Sequence, residues 1–407
     1  MALTASREDF KLYFTCPRKL ALKTMGIKVM EIKRPRRLTP AYAIGVSGEK
    51  LTEEMLEIIA SLQVDKSKGE YVEVLKDRNE PVKKSVETLV EKLRTIAQTT
   101  TTLTEVIRDG METSKVKENV KRMVRFTVEE AFKKIEGTMP HHEIESYKSM
   151  IERQTMESFL DALKGLSESI PKIKTVYKPT LRNRDTCSFG YPDYQVKTIK
   201  EDILIEVKNL KDLERAIEEG RWNLLYYNSL LADLELGDSI WRMGKLARPS
   251  KSLIVVPRWG EIKEITEPIP NFREIAVEIW KIKRSALIDH VIPDIKPEPS
   301  ICRWCKYRKF CEKEKIEQLE YAKPIPLIYA IAEYERERCV GGTQSQQYQE
   351  KIKMIYRTLP DEFDNWGGLE FLIKNWTKID DISRKLYRRH EENLEVILRV
   401  AKKRWKI

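Results

Sequence analysis

An α/β fold carrying a large helical insertion and a helical C-terminal extension is the class this sequence predicts, and three observations predict it. Only 16 Gly and 18 Pro punctuate 407 residues, which suits long helices and short loops. Apolar residues recur at helical spacing over most of residues 51–170, then at period two between 171 and 267. Within that second stretch the patterns run strand, strand, strand, helix, strand, the signature of a small α/β unit. At about 150 residues per domain, the length allows two to three domains and a sizeable core.

Taken in order, residues 1–50 carry eleven Lys/Arg against four Asp/Glu, +7 of the chain's +11. Arg34, Arg36 and Arg37 lie in a segment punctuated by Pro35 and Pro40, which reads as a loop. From Ser47 the pattern turns helical, with Leu51, Met55, Ile58 and Leu62 on one face. Lys- and Glu-rich helices fill the insertion, 51–170, with breaks near Gly110 and Met139-Pro140. In the core, 171–290, Ile173, Thr175 and Tyr177 alternate, as do Tyr194, Val196 and Thr198. Residues 203–207, ILIEV, read as a central strand buried on both faces, after a turn at Glu201-Asp202. A helix from Asp212 to Leu234, a strand over 253–256 and a helix over 271–289 complete this unit. The proline-spaced PDIKPEPS leads into a cysteine-rich segment, 291–320, and residues 321–407 return to helical patterning. There Trp366, Trp376 and Trp405 read as core.

Charged residues at 34% and hydrophobic ones at 41% exclude a collagen-like or low-complexity chain. The excess of 75 Lys/Arg over 64 Asp/Glu fits a polyanionic partner, nucleic acid before membrane; an ion-pair-rich surface fits it as well. No apolar run approaches the length of a membrane span, and the first residues lack a signal-peptide core, so a cytoplasmic protein is expected. In that compartment six cysteines stay reduced rather than forming a disulfide framework.

Chemistry concentrates in two places. GYPDY at 190–194 puts Asp193 near the start of one strand, and IEVKN at 205–209 puts Glu206 on the next. A hairpin between those strands brings the two carboxylates together across the sheet. Glu206 and Lys208, two apart, share a face. Two acids, with the Val207 carbonyl as a further oxygen, suit hard Mg²⁺ or Mn²⁺, and an ammonium beside them suits charge developing on a phosphodiester. The plain alternative is an exposed Asp and an ordinary ion pair. Against it stands the placement of a charged pair in an apolar central strand. Asn223 and Tyr227, spaced i, i+4, lie on the helix that follows.

The second place is ICRWCKYRKFC, with Cys302, Cys305 and Cys311 in a C-x2-C-x5-C array. Zinc and a 4Fe-4S cluster both take four ligands, so a fourth is expected from elsewhere. Spacing alone does not choose among Cys16, Cys187 and Cys339. The interleaved Arg303, Lys306, Arg308 and Lys309 argue against ordinary core cysteines; Trp304, Tyr307 and Phe310 suit base stacking or shielding of a cluster. The four histidines, 141, 142, 290 and 390, fit no ligand spacing.

The order GxPDY, ExK, amide-xxx-Tyr resembles the RecB-type branch of the PD-(D/E)xK nuclease superfamily. With Tyr-x-x-Cys-Pro-Arg before it and the cysteine array after it, the chain resembles the iron–sulfur exonucleases: the CRISPR-associated adaptation nuclease and AddB-like nuclease domains. The resemblance implies metal-dependent DNA cleavage, directed at single strands or frayed ends, with Asp193, Glu206 and Lys208 as the core. It implies a 4Fe-4S staple on Cys16, Cys302, Cys305 and Cys311, with zinc as the alternative. It further implies service in CRISPR adaptation or DNA repair, beside a CRISPR integrase or a helicase. The motifs depart in two positions: Asn223 stands where the family has Gln, and Glu49, in Gly45-Val-Ser-Gly-Glu49, where it has a metal-ligand His. Glu49 also reads as a first-turn residue favoured by the helix dipole. These departures support a second expectation, a DNA-binding scaffold subunit that cleaves poorly.

Overall fold

A computed structural model describes residues 5–24, 39–63, 80–97, 102–183, 188–236, 249–288, 291–295, 302, 305 and 307–311. The proposed extension over 321–407, its three tryptophans, Cys187, Cys339, His290 and His390 lie outside these residues, as do Arg303, Trp304 and Lys306.

Local chemistry sets most of the boundaries. Ser6 and Asp9 form a reciprocal capping box that starts α1 (Arg7–Thr15), and Pro17 stands at the first position of α2 (Pro17–Thr24). Pro40 likewise opens α3 (Pro40–Gln63), two turns before the Ser47 start read from the apolar pattern. Glu49 is therefore in the third turn, too far from the terminus for the helix dipole to account for it. The helices α4 (Glu80–Ala97), α5 (Leu103–Glu112), α6 (Ser114–Lys133) and α7 (His141–Ser169) follow. A Thr102–Glu105 capping box starts α5, Thr113 separates α5 from α6, and Pro171 follows closely on the end of α7.

The sheet is mixed, in the order β1-β4-β5-β6-β7: β1 (Ile173–Tyr177), β4 (Tyr194–Thr198), β5 (Asp202–Val207), β6 (Lys251–Val256) and β7 (Glu261–Glu264). Only β5 and β6 run parallel, joined by α8 (Leu213–Leu236); the other pairs are antiparallel. Two short strands, β2 (Leu181–Asn183) and β3 (Ser188–Gly190), form a separate hairpin. Asp202 belongs to β5 rather than to the turn. The Thr198 hydroxyl organises that turn instead, accepting from the Glu201 amide at 2.9 Å. Helix α9 (Phe272–Ile288) and the single-turn α10 (Arg308–Cys311) are the last elements among the described residues.

Three layers result. On one face Tyr194, Val196, Ile203, Ile205, Val207, Leu253 and Val255 merge into one core with α3 to α7. On the other, Leu204, Ile254 and Val256 pack on α1, α8 and α9. Each buried Leu, Ile or Val contributes about 1.5–3 kcal/mol, so this alternation fixes the register of β5. The helical segment thus covers one side of the sheet. Among the described residues no helix is long and apolar enough to cross a membrane.

Candidate active site

Strand register brings the acids together. The last ladder pair of β4 and β5 is Tyr194 with Ile205, and one step further lie Asp193 and Glu206. Asp193 Oδ2 accepts the Val207 amide at 2.7 Å, which docks its carboxylate on the end of β5. Glu206 is 1% exposed on the α8 side of the strand. Its Oε1 accepts from Lys208 Nζ at 2.5 Å and from Asn223 Nδ2 at 2.6 Å, whereas Oε2 is buried with no hydrogen-bond partner. A buried carboxylate oxygen left unpaired is costly. It is the kind of atom that a cation satisfies.

Glu49 reaches the same place from the other layer. Gly48 permits this: a Cβ there would meet Asn209 Cβ at 2.7 Å, so α3 lies against the chain just past β5. Asn209 Nδ2 donates to the Ile44 carbonyl at 2.8 Å, and the Tyr194 hydroxyl donates to the Glu49 carbonyl at 2.8 Å, clamping α3 to both strands. The Glu49 carboxylate lies 3.8 Å from Lys178 Nζ. Burial first, then the charges of Glu206 and Glu49, push Asp193 up to about 8, against the pull of the Val207 amide and Lys208. Asp193 is thus close enough to feel the charges of both Glu206 and Glu49.

Asn223 and Tyr227 part company. Asn223 touches Glu206, but Tyr227 accepts from Arg7 Nη1 at 2.9 Å and donates to the Tyr191 carbonyl at 3.2 Å. Gly190 passes so close that a Cβ would lie 2.8 Å from the Tyr227 ring. Tyr226 donates to the Phe189 carbonyl at 2.7 Å. The two tyrosines therefore hold the segment that delivers Asp193. Arg7 escaped the sequence reading, because nothing local ties residue 7 to residue 227. Burial works against its charge, yet Tyr227, Glu206 and Asp193 together hold its pKa above the usual arginine value. Asn209, next to the ExK triplet, was within reach of sequence reasoning as a docking residue for the helix before it.

The donor set is all oxygen, two carboxylates docked on one strand end with a third nearby, and this chemistry fits Mg²⁺ or Mn²⁺, which one or two carboxylates hold together with water and phosphate. Among the described residues no three His, Cys, Asp or Glu side chains already stand at metal-holding distances from one another.

Cys16 and the three cysteines of the array also fall in one region. Cys16 begins the turn into α2, and Cys305 and Cys311 pack against Ala21, Leu22, Ala286, Ile292 and Tyr307. Arg18 donates from Nη2 to the Cys311 carbonyl, tying α2 to α10. Burial raises the Cys16 thiol, and the nearby Cys305 and Cys302 add to it. Burial, then Cys305 and Cys16, push Cys311 up to about 11. Thiols gathered in this way are a soft, anionic donor set once deprotonated, which suits iron or zinc. The chain matches no family model, no curated protein and no solved structure.

Proposed function

We propose that this chain is a metal-dependent DNA phosphodiester hydrolase built on a PD-(D/E)xK core. The observation that carries the reading is the unpaired, buried Oε2 of Glu206 beside Asp193 at the end of β5. On this reading Asp193 and Glu206 hold Mg²⁺ or Mn²⁺, with the Val207 carbonyl and Glu49 as supplementary oxygens. Such a cation lowers the pKa of water and offsets charge on a phosphodiester. Lys208 Nζ lies 2.5 Å from Glu206 Oε1 and presents its remaining N–H donors to the phosphate. Asn223 holds Glu206 Oε1, which leaves Oε2 as the oxygen that would be free to take a cation.

The wider proposal is an exonuclease acting on single strands or frayed ends, with a 4Fe-4S cluster on Cys16, Cys302, Cys305 and Cys311, or zinc in its place. It places the protein in the cytoplasm, in CRISPR adaptation or DNA repair, beside an integrase or a helicase. Degradation of labelled single-stranded DNA in Mn²⁺ tests it: Asp193→Ala and Lys208→Ala should abolish turnover while keeping the wild-type circular dichroism spectrum. Wild-type cleavage by both variants rules the site out. One observation favours a second reading, a DNA-binding scaffold: the Glu49 carboxylate lies 3.8 Å from Lys178 Nζ, a cation of the chain itself. That protein would bind the labelled strand in a salt-sensitive way and leave it intact.

A further inference from the structure

Helix α1 carries more than its bond to Tyr227. Arg7, Lys11 and Phe14 stand at i, i+4 and i+7, a single stripe about 10 Å long. The stripe runs antiparallel to α8: Arg7 meets Tyr227, and Phe14 stacks on Trp222 with centroids 5.4 Å apart and planes 25° apart. Asn223, the partner of Glu206, lies on α8 between those two contacts. Both acids of α1 are neutralised elsewhere, Glu8 by Lys23 at 2.5 Å and Asp9 by Lys283 at 2.6 Å. Arg7 and Lys11 make no ion pair among the described residues, so the stripe is cationic. At its far end Phe14 remains 43% exposed despite three aromatic neighbours, and Arg221, paired with Glu267, braces Trp222 from 4.8 Å.

We propose that the Arg7–Lys11–Phe14 stripe, with Trp222, is the track along which one strand of DNA leaves the acidic centre. Cations followed by an open aromatic stack complement a phosphate backbone with unpaired bases. The stripe spans about three nucleotides at the 3.4 Å rise of a stacked strand. Arg7 takes the phosphate nearest Glu206, Lys11 the next, and a base settles on Phe14. A duplex has no free base face to offer there, so the track selects single strands. This inference rests on the hydrolase reading for its choice of polymer.

Fluorescence anisotropy of a short labelled oligo-dT on the full chain, in the Asp193→Asn background to prevent turnover, tests it. Phe14→Ala should weaken oligo-dT binding about tenfold. It should leave unchanged an oligomer whose bases are replaced by abasic sites, and Phe14→Trp should retain affinity. Lys11→Ala should lower the slope of log affinity on log salt by about 0.7. Unchanged oligo-dT affinity in both Phe14→Ala and Lys11→Ala overturns the track, as does an equal loss on duplex DNA. Failure of the hydrolase reading would appear separately, as undiminished cleavage by Asp193→Ala.

Discussion

Gly48→Ala probes the contact on which the third acid depends. The new Cβ would lie 2.7 Å from Asn209 Cβ and 3.0 Å from its Cγ, against about 3.5–4.0 Å for an unstrained carbon pair. The obstacle is the root of a side chain, anchored by its amide to the Ile44 carbonyl at 2.8 Å, so the helix yields rather than Asn209. The retreat is about 1 Å. Overpacking of this kind costs about 1–3 kcal/mol, and the helix preference of Ala over Gly returns about 1. The net loss is about 0–2 kcal/mol. Gly45→Ala supplies the control, since it sits one turn earlier on α3 with nothing within 4 Å of its Cβ. That variant should gain about 0.5–1 kcal/mol. Urea denaturation should therefore separate the pair by about 0.5–3 kcal/mol. A displacement near 1 Å also draws Glu49 away from Asp193 and should lower cleavage up to about 100-fold, while Gly45→Ala stays near wild type. Equal midpoints for the two variants would refute the close approach of α3 to the end of β5.

Three further outcomes follow from other contacts. Asn223→Ala removes a hydrogen bond to a buried carboxylate and should cost about 1.5–3 kcal/mol in denaturant titrations; stability within 0.5 kcal/mol or so of wild type would mean that Glu206 does not need it. Asp9 offers a pH test: burial raises its pKa, but the charge of Lys283 and hydrogen bonds from Lys283 and Ser6 outweigh that and leave it below the ordinary 3.8. A depressed carboxylate stabilises above its unfolded pKa and loses that contribution as pH falls through the folded value. The stability gap between wild type and Lys283→Met should thus be constant near neutrality and shrink in acid below 3.8; a gap independent of pH would exclude the pair as its source. For the cysteines, anaerobically purified protein should be brown, and Cys16→Ser should lose colour and iron as fully as Cys305→Ser. Colourless protein carrying zinc would assign the array to that metal instead.

Much of the sheet was legible because its signal is local. The run ILIEV is typical of a doubly covered strand, and its one charged residue lies on the face that meets α8. Pairing of the strands around Thr198 then delivered Asp193 to Glu206. Other elements carried little pattern. Strand β7, EIKE, is a charged edge strand, and β2 and β3 are three residues each, too short to show alternation. The early start of α3 hid behind Pro40, which reads as a loop marker until it is seen at a helix N-terminus. The i, i+4 spacing of Asn223 and Tyr227 was correct as geometry, yet the two side chains serve different partners. Arg7 and Lys178 were invisible for a different reason: their neighbours are set by tertiary packing across the whole core.

Anomalous scattering from Mn²⁺ soaked into crystals of the protein tests the central claim most directly. The account predicts one peak bridging Asp193 and the Oε2 of Glu206 at about 2.2 Å from each, and its loss in Glu206→Gln. A Mn²⁺ peak bound elsewhere, with those two carboxylates untouched at saturation, would contradict it.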